Sequence, residues 1–175
     1  GDGITSMVLN EDDAVLWIGG GFGVQALDVR NGSEVTHIPK SSAAFTGNAD
    51  PVQLLIHEDV LYHRPWVGNG DRIHRIDVTN ETALESLDAG VPLGISGFAW
   101  GMGIVDDHLL VSATAWPDTT NGGLARWSLS DGNWTTTITP EGGVDEMEVL
   151  TDTRGDVWIA AGDLALVRFD SNFTE

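Results

Sequence analysis

Any chemistry in this chain has to come from a small set of side chains: five histidines, 27 Asp plus Glu, and seven tryptophans. Cysteine is absent, which excludes both a thiolate metal site and a disulfide framework. His63 and His74 lie symmetrically about the Gly68–Asn69 bond, so a regular hairpin across that stretch sets the two imidazoles opposite each other. Neutral imidazoles so placed suit zinc or copper, and His57 is close in sequence. IHEDVLYH at 56–63 is nonetheless not the helical His-Glu-x-x-His of metalloproteases, and two polar residues packed side by side is the plainer reading.

Carboxylates recur in NEDD at 10–13, HED at 57–59, VDDH at 105–108 and DTRGD at 152–156. Calcium is the cofactor such clusters would suit. None has the spaced Asp/Asn ligands and distal Glu of a calcium loop, and solvated turns account for them equally well. RPWVGNGD at 64–71 and TAWPDTTNGG at 114–123 each hold a tryptophan beside a proline. Trp66 and Trp116, with Asp71, Asp118 and Asn121, have the mix of aromatic surface and orienting polar groups that ligand pockets use, and sugar rings fit it; packing over underlying strands is the competing role. GISGF at 94–98 lacks the spacing of a nucleophile elbow, and GGGFG at 19–23 is followed by no helix to receive a phosphate. No catalytic residue is assigned.

Strands must position these side chains, because no helical period of useful length occurs. VLWIGG at 15–20, VLYHRP at 60–65, HLLVSA at 108–113 and DVWIAA at 156–161 align as short β-branched runs after acidic turns, with anchors Leu16, Leu61, Leu110 and Val157 spaced 45, 49 and 47 residues apart. Such a period suits a four-stranded unit. A second run follows each: VQALDV, RIHRIDV, LARWSL and ALVRFD, with Leu27, Ile76, Trp127 and Phe169 equivalent and an Asp or Ser next in line. SMVLN, VQLLIH, FAWGMGIV and MEVLT read as first strands, and SEVTHI, ALESLD and WTTTIT as fourth strands. Trp17, Trp127 and Trp158 fall on strands and are expected to pack.

VLWIGGGFGVQALDV at 15–29 and DVWIAAGDLALVRFD at 156–170 resemble the repeats of sensor-type β-propellers, and RIHRIDVTNETALESLDAG at 72–90 is similar to cell-surface propeller repeats. The resemblance covers nearly the whole chain. It implies an all-β fold of tandem four-stranded antiparallel meander blades, about four of them, over 3–50, 51–94, 95–143 and 144–175, with the last incomplete. It also implies a place in a larger ring of roughly six to eight blades, self-association, or closure as four. In a blade, the turns joining strands one to two and three to four share one end, and the turn joining two to three lies at the other. The acidic turns then share an end with the Asn-x-Ser/Thr sequons at Asn31, Asn80, Asn133 and Asn172, and the Trp66 and Trp116 loops lie opposite.

A net charge of −19, with Lys40 the lone lysine, leaves no basic patch for nucleic acid or an anionic membrane surface. Self-repulsion at that charge points to a salt-rich habitat or to an ordinary acidic secreted domain. No apolar stretch reaches the roughly 20 residues of a membrane span. Four sequons exceed the roughly one expected by chance, though turns favour the same residues. The expectation is a non-enzymatic extracellular or cell-surface recognition or scaffold module with a glycan or protein ligand. Its rivals are a propeller lyase or hydrolase using carboxylates or a His-bound metal, and a structural subunit assembling through open blade edges.

Overall fold

Every regular element among the described residues is a strand, as the alternating β-branched runs require. The computed structural model describes residues 3–39, 51–65, 72–80, 84–87, 90–92, 99–113, 123–138, 147–151, 156–161 and 165–169. The chain divides into two compact units, Gly1–Leu93 and Gly94–Glu175.

The first unit holds two sheets. One is β1 (Ile4–Asn10), β2 (Val15–Gly20), β3 (Gly23–Asp28) and β4 (Glu34–Pro39), paired antiparallel in chain order. The other is β5 (Pro51–His57), β6 (Val60–Pro65) and β7 (Arg72–Asp77), with β7 flanked by two short strands, β8 (Glu85–Ser86) and β9 (Val91–Pro92). Of the expected fourth strand, ALESLD at 83–88, Glu85–Ser86 pairs as β8, and pairing with β7 resumes beyond it in β9. Gly90 has a φ of +77°, and a Cβ there would lie 2.6 Å from the Ile73 carbonyl oxygen, so this residue passes close against β7 just before pairing resumes at Val91.

The two sheets of this unit pack face to face. Val15, Trp17, Val24, Ala26 and Ile38 of the first meet Leu54, Leu61, Ile76 and Val78 of the second in one apolar cluster. Trp17, Leu61 and Ile76 are fully buried, each worth about 1.5–3 kcal/mol in transfer free energy. The Leu54 N–H also donates to Ser6 Oγ at 2.9 Å, tying the two first strands together.

The second unit repeats the plan. β10 (Ala99–Val105), β11 (His108–Ala113), β12 (Gly123–Ser128) and β13 (Asn133–Ile138) form one sheet, and β14 (Met147–Thr151), β15 (Val157–Ala161) and β16 (Ala165–Phe169) form another of three strands among the described residues. Met102, Leu109, Leu124, Val149, Val157 and Phe169 are buried.

Pairing register fixes the repeat alignment. Leu16 pairs with Leu27, Leu61 with Ile76, Leu109 with Trp127 and Val157 with Phe169. The equivalent of Leu16 is therefore Leu109, not Leu110, and the anchor spacings become 45, 48 and 48 residues. Two adjacent leucines in HLLVSA hide this, since only the partner strand tells which of them occupies which face. The first strands of three sheets carry a register shift at matching places, Ile4/Ser6, Pro51/Gln53 and Ala99/Met102. Hydroxyls serve the backbone there: Thr5 Oγ1 donates to the Gly19 carbonyl at 3.1 Å, and Ser112 Oγ accepts from the Gly101 N–H at 2.8 Å.

Candidate functional site

His63 on β6 and His74 on β7 are register partners, as their symmetric spacing predicts. Their ring centroids are 5.2 Å apart at an interplanar angle of 36°, and they are 0% and 3% exposed. Strand alternation puts them on the face that carries Leu61 and Ile76, so they extend the core layer between the first two sheets. Burial first, then His74 and Arg64, pushes the His63 imidazole down to about 3, which keeps it neutral near pH 7. A neutral imidazole is a competent metal ligand, but the described residues hold no group of three metal-ligating side chains. His57 pairs with Val60, whereas His63 pairs with Leu54, three residues earlier on β5. An odd offset along a strand puts His57 on the opposite face of the sheet from His63, so the two imidazoles do not converge on one ion.

The acidic turns at 10–13, 57–59 and 105–108 are hairpin connections whose backbone closes the blade. The N–H of the residue after the third strand donates to the turn carbonyl in three sheets: Val29 to Ala14 at 2.9 Å, Val78 to Asp59 at 2.9 Å and Leu129 to Asp107 at 3.0 Å. Ala14, Glu58 and Asp106 take positive φ at these turns. Asn10 Nδ2 donates to Asp13 at 2.6 Å, and the Asp107 carboxylate accepts from the Ser130 N–H and hydroxyl. Of the stretch at 152–156 only Asp156 is described; it is buried and paired with Arg168 at 2.7 Å.

Asp28 and Asp77 end their third strands in Asx turns, accepting from the N–H groups of Arg30 and Thr79 at 2.8 and 2.9 Å. Hydrogen bonds from Arg30 and from Thr79, respectively, hold both carboxyls below the ordinary range. The sequons at Asn31 and Asn80 follow in these turns, and the one at Asn133 opens β13. Asn31, Asn80 and Asn133 are exposed. Asn31 Oδ1 accepts from the Ser33 N–H at 2.7 Å and its Nδ2 donates to Asp28 at 3.2 Å, so this asparagine also shapes the turn. Trp66, Asp71, Trp116, Asp118, Asn121 and Asn172 lie outside the described residues.

An arginine recurs at one position in three of the sheets, a feature that the repeat anchors alone do not single out. Arg75, Arg126 and Arg168 stand directly before the third-strand anchors, opposite Tyr62, Leu110 and Trp158. Arg75 lies 5.9 Å from the Tyr62 ring centroid, and Arg168 lies 5.9 Å from that of Trp158. The signal was available in RIHRID, LARWSL and ALVRFD, where arginine precedes Ile, Trp or Phe; the first repeat has Ala26 instead.

No protein-family model matches the chain, and no curated protein matches it. Solved structures do. The β-propeller domain of Cps50 (Swd1) from Myceliophteria thermophila is similar over 95% of this chain and 52% of its own, at a TM-score of 0.69 and 14% identity. The extracellular domain of a putative hybrid two-component system from B. thetaiotaomicron is similar over 98% of this chain and 20% of its own, at 0.66 and 15%. The computationally designed Ika4 protein is similar over 97% and 91%, at 0.64 and 12%. The chain thus spans about half the length of the Cps50 domain. Likeness at such identities establishes the fold alone. The chain is an array of β-propeller blades, with three strands of the fourth among the described residues.

Proposed function

We propose that this chain is a non-enzymatic recognition and scaffold module of the extracellular space or cell surface, taking a glycan or protein ligand at the blade ends that carry the Trp66 and Trp116 loops. The carrying observation is a break in the repeat. In the first blade β2 and β3 are joined by two residues, Gly21 and Phe22, whereas six separate Pro65 from Arg72 and nine separate Ala113 from Gly123. Insertions at one end of a rigid blade are where binding residues concentrate, and each of these two holds a tryptophan with neighbouring Asp or Asn. The exposed Asn31, Asn80 and Asn133 support a glycosylated, extracellular setting.

On a glycan array the unaltered chain is expected to bind a defined set of sugars, and Trp66→Ala with Trp116→Ala to abolish binding while far-UV circular dichroism is unchanged. Binding that survives the double change removes the ligand part of the reading. A metal-dependent enzyme is the second reading, favoured by the facing His63 and His74. Their burial gives an ion held there a structural role and no route to substrate. Metal analysis of purified protein separates the readings: bound zinc or copper supports the second, and bound calcium would assign the acidic turns instead.

A further inference from the structure

Equivalent positions in the four sheets differ sharply in exposure. Met7, Leu54, Met102 and Val149 share one register position, each two residues before the partner of the anchor leucine or valine; they are 61%, 4%, 1% and 4% exposed. The neighbouring anchors behave alike: Leu61, Leu109 and Val157 are fully buried, while Leu16 is only half-buried. Val29 is 50% exposed and its counterpart Val78 is 4% exposed. Leu54, Leu61, Ile76 and Val78 are the residues with which the second sheet packs onto the first. The first sheet therefore presents, uncovered, the face that in the second sheet receives another blade.

The opposite face shows the reverse. Trp17, Tyr62 and Leu110 share a position and are buried, whereas their counterpart Trp158 is half-buried. Beside Trp158 stand Leu150, 60% exposed, and Arg168, with half its side chain in solvent. Leu150 is the counterpart of Val8, which packs against the cluster joining the first two sheets. The last sheet thus leaves open the face through which the first sheet meets the second.

We propose that these two faces are one interface divided between copies: the Met7 face of the first sheet docks on the Leu150 and Trp158 face of a second copy of this chain. The contact is heterologous; such contacts close a ring where the rotation between copies returns on itself and otherwise extend into a filament, and the closure proposed is a pair. Two copies supply about the length of the Cps50 propeller domain, half of which one copy spans. The mode of contact is already present between the first two sheets, which gives it a template in named residues. A charge of −19 on each copy opposes the approach, so association strengthens with salt. The proposal concerns blade faces, not the Trp loops, and stands or falls independently of ligand binding.

The absence of cysteine makes a clean test available. Chains carrying Met7→Cys are mixed with chains carrying Leu150→Cys and treated with a short bismaleimide in salt. The expected result is a covalent pair of twice the chain mass from the mixture and little from either variant alone. The unaltered chain should sediment as a dimer, and Met7→Glu, at an exposed position, should return it to monomer with unchanged circular dichroism. Three results would overturn the proposal: a monomer at every concentration, efficient self-cross-linking of Met7→Cys alone, or a concentration-independent cross-link within single molecules of the Met7→Cys, Leu150→Cys double variant.

Discussion

His63 shows how little residue type alone says about role. Spacing placed it opposite His74, and the register agrees; what spacing does not carry is depth. Both rings sit in the layer between two sheets, and burial, then His74 and Arg64, lowers the His63 pKa to about 3. An unfolded histidine titrates near 6.5, so between pH 6.5 and 3 the unfolded chain binds the extra proton, and stability falls as pH falls. The contribution is fully present above the unfolded value and shrinks by on the order of 1 kcal/mol per pH unit below it. Urea unfolding at pH 7, 5 and 4 should therefore show a steeper acid loss for the unaltered chain than for His63→Phe, which keeps the volume without the proton site. Equal slopes would mean that the ring titrates in the folded state as it does in water.

At the scale of elements, the strands were legible because each repeat writes an acidic turn, a β-branched run and a run ending in Asp or Ser. The Leu109 alignment was not, because two adjacent leucines satisfy either face. The second short strand, β9 beyond ALESLD, was hidden too, since nothing in ALESLDAG states that Gly90 must approach Ile73. That approach has a measurable consequence. Gly90→Ala adds a Cβ 2.6 Å from a backbone oxygen at a φ of +77°, and is expected to destabilise the chain by about 1–3 kcal/mol while releasing β9 from β7. A chemical-denaturation midpoint reads the loss, and amide exchange at Ile73 and Val91 reads the release. The candidate binding loops were visible as breaks in the repeat, and their ligand is a matter of loop side chains that repetition does not constrain.

Across the whole molecule, repetition explains most of what looked functional one residue at a time. Among the described residues three acidic turns recur because each closes a hairpin, the sequons at Asn31 and Asn80 follow an Asx turn that ends the third strand, and arginines stand opposite a cross-strand neighbour in three sheets. Net charge belongs to the same scale. Screening −19 charges should raise the thermal midpoint steadily between about 0.01 and 1 M sodium chloride, over which the Debye length falls from roughly 30 to 3 Å. A flat response would mean that local pairs, such as Asp28 with Arg30 and Asp156 with Arg168, already balance the repulsion.

One closed meander repeats along the chain. Amide hydrogen exchange measured by NMR at Val29, Val78 and Leu129 tests it most directly. These residues follow the third strands, and Val29 is half exposed. Each nonetheless donates to an acidic-turn carbonyl at 2.9–3.0 Å. Matching protection at all three, well above that of the exposed turn amides beside them, is the predicted result; exchange at the free-chain rate at any one of them would contradict the repeat at that blade.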